Sequence, residues 1–409
     1  MTAFRFLHSS DLHLGKRFGQ MPEEARADLQ QARQQIIGRL AVLARQHRAE
    51  HVLIAGDMFD TETPSDRVIR QALAMMRAAS DLQWWIIPGN HDSAAAEPLW
   101  AEMARHAAEN THLLMQPEPV QMAPGVHLLP APCRHRFAGQ DLTRWMDSCA
   151  TPEGELRIGL AHGGVLDFSS DAASGGEASG GEAGSEAGGE VISPKRAHTA
   201  RLDYLALGDW HGAFALDARS RYSGTPEADR FKHAGRGQCL LVELSRAGIP
   251  PEVTCLETGV YHWQEQSLEL TPASDVAALL QALLPSDRAA WHLHLLRLRA
   301  EGWITAPQRL ALQQLVAGVA PEFCHFSLDE TGLRSEHQLG DLDLIATNGA
   351  LRVAAEDLMR AAEDTALAQA ERDTASAALN RLFAYAQESA PQQAGAGAGA
   401  GVAARGAET

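Results

Sequence analysis

The stretch "HVLIAGDMFD", residues 51–60, decides how the chain folds. It opens with a short apolar run and stops at a Gly-Asp pair, with a second aspartate three residues on. A run this brief and this apolar is a buried strand, and the acidic groups fall just past its carboxyl end. The same pattern recurs on both sides. "FRFLHSSD" (4–11) is a strand ending in a polar loop, and "QWWIIPGNHD" (83–92) is a strand running into a Pro-Gly loop. Between them, "DLQQARQQIIGRLAVLARQH" (28–47) has helical apolar spacing at Ile36, Leu40, Leu43 and Ala44, and "SDRVIRQALAMMRAAS" (65–80) reads as a helix with Ser65 as its N-cap. Strand–helix alternation predicts a parallel core sheet with helices on its faces, and such sheets carry their reactive groups past the carboxyl ends of the strands.

Short strands dominate from residue 126: "VHLLPAP", "LRIGLAH", "DYLALGD", "CLLVEL" and "EVTCLE". Between the second and third lies a Gly/Ser/Glu-rich segment, 169–190, with no large apolar residue, which reads as a flexible excursion. Three strands and two helices over 266–340 predict a small α+β domain. A helical, Ala-rich segment follows to about residue 388, with a low-complexity tail over 389–409. The catalytic part is expected to span 1–265. The expected class is α/β: a layered sheet core flanked by helices, a smaller α+β C-terminal domain and a C-terminal helix.

Bulk properties bound the function. The chain has 409 residues, 45% hydrophobic and 21% charged, ordinary for a globular protein. Five scattered cysteines without a CxxC pair argue against a disulfide scaffold or a zinc finger and fit a reducing cytoplasm. No apolar run reaches membrane-spanning length, so no membrane partner is expected. The formal charge of −17 is uneven: six acids and no base fall in 167–190, and a net −8 in 301–409, leaving about −3 for the rest. A basic face for a polyanion is therefore compatible with the total.

Five motifs fall where strands should end: "SDLHLG" (Asp11, His13), "AGDMFD" (Asp57, Asp60), "PGNHDS" (Asn90, His91, Asp92), "LAHGG" (His162) and "GDWHG" (Asp209, His211). Singly, each is more often a capped turn or a hydrogen-bonded core histidine. As a set, oxygen and nitrogen donors at five successive strand ends are what a two-metal site requires, with a carboxylate shared between ions. Asp57 is the best candidate for the shared carboxylate. Mixed Asp, His and Asn donors suit Mn²⁺, and also Mg²⁺, Fe²⁺ or Zn²⁺.

In order and spacing these motifs resemble the calcineurin-like metallophosphoesterases, with the pattern DxH…GDxxD…GNH[DE]…H…GHxH. Within that superfamily, "FLHSSDLHLGK" and "YSGTPEADRFK" are similar to segments of the SbcD-type DNA repair exonucleases. The resemblance implies one metal on Asp11, His13, Asp57 and His211, and a second on Asp57, Asn90, His162 and the residue at 209. It implies His91 as general acid at the leaving oxygen, with Asp92 as its catalytic neighbour in an orienting role, and in-line attack by a metal-bridging hydroxide. The family has histidine where this chain has Asp209, which leaves Asp209 either a ligand or a residue behind the ligands. The resemblance further implies DNA as substrate and an SbcC-like ATPase as partner, with the C-terminal helix as one candidate for gripping it, and it allows a homodimer. The alternative is a stand-alone phosphatase or phosphodiesterase for nucleotides or other small phosphoesters. Lys16, Arg17, Arg230, Lys232, His233 and Arg236 are equally readable as phosphate contacts or solvated loop charge, while Trp84 and Trp85 read as core.

Overall fold

The computed structural model describes residues 3–136, 139–165, 191–336 and 348–389, with 342, 345 and 346. The Gly/Ser/Glu-rich segment 169–190 and nearly all of the tail lie outside the described residues. By internal packing the chain divides into two units. One is built on the residues up to Glu265 with Asp287–Leu296 and Glu322–Phe326; the other on Gln266–Ser286, Arg297–Pro321 and the residues from Ser327 on.

The first unit is a pair of six-stranded sheets. The chain lays down Phe4–Ser9 (β1), His51–Ala55 (β2), Gln83–Ile87 (β3) and Thr111–Leu113 (β4), then Val120–Ala123 (β5), Val126–Ala131 (β6) and Leu156–His162 (β7). The short Gly164–Val165 (β8) and Val191–Ile192 (β9) pair with each other. Tyr204–Gly208 (β10), Phe214–Ala215 (β11), Ser220–Tyr222 (β12), Gln238–Leu244 (β13) and Glu252–Glu257 (β14) complete the set. One sheet runs β14-β13-β1-β2-β3-β4, the other β11-β12-β10-β7-β6-β5. As expected, β1 to β4 are mutually parallel, but β13 returns antiparallel to β1 and makes the first sheet mixed.

Strand alternation sorts side chains into layers. Leu7, Val52, Ile54, Trp84 and Ile86 face the helices Ile36–Gln46 (α2), Asp66–Ala78 (α3) and Glu97–His106 (α4), while Glu23–Gln34 (α1) packs Leu29 and Ala32 in a separate cluster with Phe18, Phe231 and Trp263. Phe6, Leu53, Ala55, Trp85 and Ile87 face inward, against Leu128, Ile158, Leu160, Tyr204 and Ala206 of the second sheet. Both tryptophans are core, as read from the sequence. On the second sheet's far face, Leu129, Ala161, Leu205 and Leu207 pack with Met146, Ala197 and Leu202.

Two helices differ from the expected outlines. The expected continuous helix over 28–47 breaks at Gln35, which caps α1 with φ −85° and ψ −1°. The break lets α1 bury Leu29 and Arg33 while α2 independently buries Ile36, Ile37 and Leu40. Ser65 is the residue before α3, as expected, but makes no side-chain cap hydrogen bond.

Most of the three-stranded sheet of His262–Leu270 (β15), His294–Thr305 (β16) and His325–Glu336 (β17) belongs to the second unit. Its helix Ala306–Val319 starts with a Thr305/Gln308 capping box. The single C-terminal helix expected from the composition is two helices, Ala350–Glu363 and Gln369–Ser389. They fold back on each other because Ala355, Leu358, Met359, Leu379 and Leu382 close into one cluster with Leu342. The expected apolar stripe is thus partly consumed internally, while Leu351, Val353 and Tyr385 stay exposed. Among the described residues no helix is long and apolar enough to cross a membrane.

Candidate metal centre

The loops after β1 and β2 are zipped by backbone hydrogen bonds: the amides of Asp11, His13 and Leu14 donate to the carbonyls of Gly56, Asp57 and Met58 at 3.1, 3.0 and 2.9 Å. Asp11, His13, Asp57 and Asp209 all adopt positive φ, at 54°, 43°, 53° and 101°. Each such residue costs roughly 1 kcal/mol or more, a strain that persists only where the surroundings over-determine it. Glycines make the convergence possible. A Cβ on Gly208 would lie 1.9 Å from the Ala55 carbonyl oxygen, one on Gly56 2.4 Å from His162 Nδ1, and one on Gly89 2.1 Å from Asp57 Oδ1. The sheets meet backbone to side chain at the site.

Three histidines of the centre are held from behind through Nδ1. His162 Nδ1 donates to the Ala55 carbonyl at 2.8 Å, and His91 Nδ1 to the Asp60 carbonyl at 3.0 Å. His211 Nδ1 donates to Asp229 Oδ1 at 3.1 Å, while His13 Nδ1 lies 3.4 Å from Asp60 Oδ1. Carbonyls and carboxylates only accept, so the proton sits on Nδ1 of the bonded rings and their Nε2 is left for a cation. His13 Nε2 and His211 Nε2 stand 3.2 Å apart. Two neutral lone pairs at that distance repel unless a cation or a proton lies between them. Asp57 Oδ2 is 3.6 Å from His13 Nε2 and 3.5 Å from His162 Nε2, between the two halves, while its Oδ1 accepts the His91 amide at 2.8 Å.

Three buried polar atoms of the centre have no hydrogen-bond partner: His13 Nδ1, His162 Nε2 and Asn90 Oδ1. The Asn90 amide nitrogen is occupied, donating to Asp209 Oδ1 at 3.1 Å. Donor atoms of Asp11, His13 and His211 lie within 4.8 Å of one another, as do those of Asp11, Asp57 and His162. The residues present therefore fit divalent cations: orphaned buried nitrogen and oxygen donors surround concentrated negative charge.

That charge is visible in the titration behaviour. Burial pushes Asp57 well above the carboxylate range and raises Asp209. Burial alone would depress His162, but Asp57, Asp11 and Asp209 outweigh it and hold it up at about 10. Without metal, then, a proton on the His162–Asp57 pair does part of the cation's work. Metal binding at neutral pH should release it, so affinity should rise with pH up to about 10. Calorimetry of Mn²⁺ binding in buffers of different ionisation enthalpy checks this; an enthalpy independent of buffer would show that no proton is displaced.

The site residues expected from the sequence all lie in this region, with differing roles. Asp92 is fully buried, and its carboxylate oxygens accept the Gly89 and Phe59 amides at 2.7 and 3.0 Å. Of the two parts expected for it, catalytic and orienting, the geometry matches orientation of the loop bearing Asn90 and His91. Asp209 offers its amide to both Asp11 oxygens at 3.2 Å, and its Oδ1 lies 3.8 Å from His162 Nε2.

Asp229 carries no such signal in the sequence. Its side chain is fully buried, accepting from His211 at 3.1 Å, Lys16 at 2.6 Å and Arg230 at 3.0 Å. Burial alone would raise it, but His211, Lys16 and Arg33 together hold it well below the usual range. Lys16 and Arg230 are thus tied to a carboxylate. Asp229→Asn is expected to weaken metal binding about 10–100-fold, as loss of a carboxylate behind a ligating histidine does; unchanged affinity by metal titration would assign Asp229 to packing alone.

Residues 4–186 match the family model of the calcineurin-like phosphoesterases, and this match together with the donor set supports a metal-dependent phosphoesterase. The chain is 25% identical over 269 residues to the D subunit of nuclease SbcCD from Bacillus subtilis (strain 168), an alignment covering 60% of this chain and 67% of that protein. It is 31% identical over 93 residues to the protein of the same name from Escherichia coli (strain K12), covering 22% of each. Among solved structures it is similar to TT1561 of Thermus thermophilus, with 12% identity, 63% of this chain and 100% of that one covered, and a TM-score of 0.37.

Proposed function

We propose that the chain is a two-metal phosphodiesterase acting on DNA, a repair exonuclease or endonuclease that works with an SbcC-like ATPase. The observation that carries the two-metal reading is Asp57 Oδ2, which lies between His13 Nε2 and His162 Nε2, with further donors beyond each. Asp11, His13, Asp57 and His211 would hold one cation, and Asp57, Asn90, His162 and Asp209 the other. When bound, two divalent cations, Mn²⁺ foremost, supply Lewis acidity and hold the charge of the phosphoester.

The chain's own residues do the rest. His91 is fixed by its amide on Asp57 and its Nδ1 on the Asp60 carbonyl, which leaves Nε2 to carry a proton to the leaving oxygen. Asp92 keeps that loop in place through its two backbone hydrogen bonds. Removing a positioned general acid costs about 10²–10⁴-fold in turnover. His91→Ala is expected to lose that much while retaining both metals by elemental analysis. A variant without metal would make His91 a ligand instead.

DNA and the ATPase partner rest on the named SbcCD relatives and on the exposed Leu351, Val353 and Tyr385 of the C-terminal helices. The deciding experiment offers the purified protein, with Mn²⁺ and with chelator, linear duplex DNA, single-stranded DNA and a small phosphodiester. Chelator-sensitive cutting of DNA is expected. Turnover of the small diester alone would favour the stand-alone phosphodiesterase.

A further inference from the structure

Next to His211 a cavity of about 270 Å³ opens, lined among others by Trp210, His233, Arg236 and Gln238. Trp210 stands between Asp209 and His211 in the chain and lines this cavity together with His211. The Lys232 ammonium lies 5.4 Å from the Trp210 ring centroid, and His233 meets the indole edge-on at 4.8 Å and 74°. Gly212 keeps the space between them clear: a Cβ there would come within 3.0 Å of both Trp210 Nε1 and His233 Nδ1. Lys232 and Arg236 are exposed at this edge, in a chain whose total charge is −17.

A partly buried indole with an imidazole, an amide and two cations around it matches one class of ligand best. That ligand is planar and aromatic, has a polar edge, and is joined to a phosphate. Bases stack on aromatic side chains whatever their sequence, and nearby cations accommodate the backbone that carries them. A purely apolar ligand would not engage the exposed Lys232 or Arg236, the latter 3.8 Å from Glu257, and a bare phosphate would not engage the part of the Trp210 indole that stays uncovered.

We propose that this cavity is a nucleobase subsite, receiving the base of the nucleotide whose phosphate lies at the metal centre. The proposal rests on the phosphodiesterase reading above and adds to it the part of the substrate that is gripped beside the reacting bond. It makes Trp210 a residue that separates nucleotides from phosphoesters lacking a base.

The test compares two probes on the full chain with Mn²⁺, dAMP and 2-deoxyribose 5-phosphate, each titrated calorimetrically and verified intact afterwards. Wild type is expected to bind dAMP about tenfold more tightly, the scale of one base–aromatic stack. Trp210→Ala and His233→Ala should bring the ratio of the two dissociation constants near one, and Trp210→Phe should keep most of it. Because the ratio is taken within one variant, a partly unfolded preparation affects both probes alike. Equal affinities in wild type, or a ratio untouched by Trp210→Ala, would overturn the subsite. The DNA-cutting assay fails separately: a ratio that holds in a protein inert to DNA marks a mononucleotide site, and a ratio of one in a protein that cuts DNA removes the subsite alone.

Discussion

Asp57→Ala is expected to reduce activity by on the order of 10³-fold or more and to empty both metal positions at once. Loss of one preorganised electrostatic group already costs about 10²–10³-fold, and Asp57 serves both halves. Its Oδ2 lies 3.6 Å from His13 Nε2 and 3.5 Å from His162 Nε2, and its Oδ1 also fixes the His91 amide. The substitution thus removes a shared oxygen and loosens the general acid in one step. Metal counting separates this from the alternative: a variant that retains two equivalents with slow turnover would mean that Asp57 only orients His91.

Gly208→Ala is expected to be the most destabilising single methyl in the first unit. The added carbon would sit 1.9 Å from the Ala55 carbonyl oxygen, and 2.8 Å from both Ser10 Cβ and His162 Nδ1. Two of those neighbours are backbone or a ligand ring tied to that same carbonyl, so neither can rotate away. The strands β10 and β2 would have to part. Overpacking of this kind costs about 3 kcal/mol, which in a domain of this size lowers Tm by on the order of 10 °C. Differential scanning calorimetry checks it; a shift of a degree or two would show that the sheets separate easily at their ends.

The parts of the site that could be read from the chain are those written locally. Each donor ends an apolar strand or follows one within four residues, so Asp11, His13, Asp57, Asn90, His91, His162, Asp209 and His211 announced themselves by position. Asp229 did not. It follows "SGTPE", a turn-like stretch, and matters only because the fold brings it 3.1 Å from His211 and 2.6 Å from Lys16, which is 213 residues away in sequence. The antiparallel return of β13 beside β1 is equally non-local. The helix breaks at Gln35 and after Glu363 were hidden for another reason. Helical spacing continues across both, and only packing, of Arg33 on one side and of the Leu358–Leu379 cluster on the other, stops the helix. The cavity beside Trp210 needed Gly212 and His233 in place before it existed at all.

The left-handed backbone at Asp11, Asp57 and Asp209 also limits how this protein can change over generations. Among residues with a side chain, asparagine and aspartate adopt that conformation at the lowest cost. A lineage that stops needing the chemistry therefore has a narrow way out: single-base changes of aspartate to asparagine, which keep the turn while removing the charge. β-branched residues at the same positions would break the loop first and be purged with the fold. Inactive descendants of such a chain should be recognised by asparagine at these three positions, with Gly56, Gly89 and Gly208 still in place.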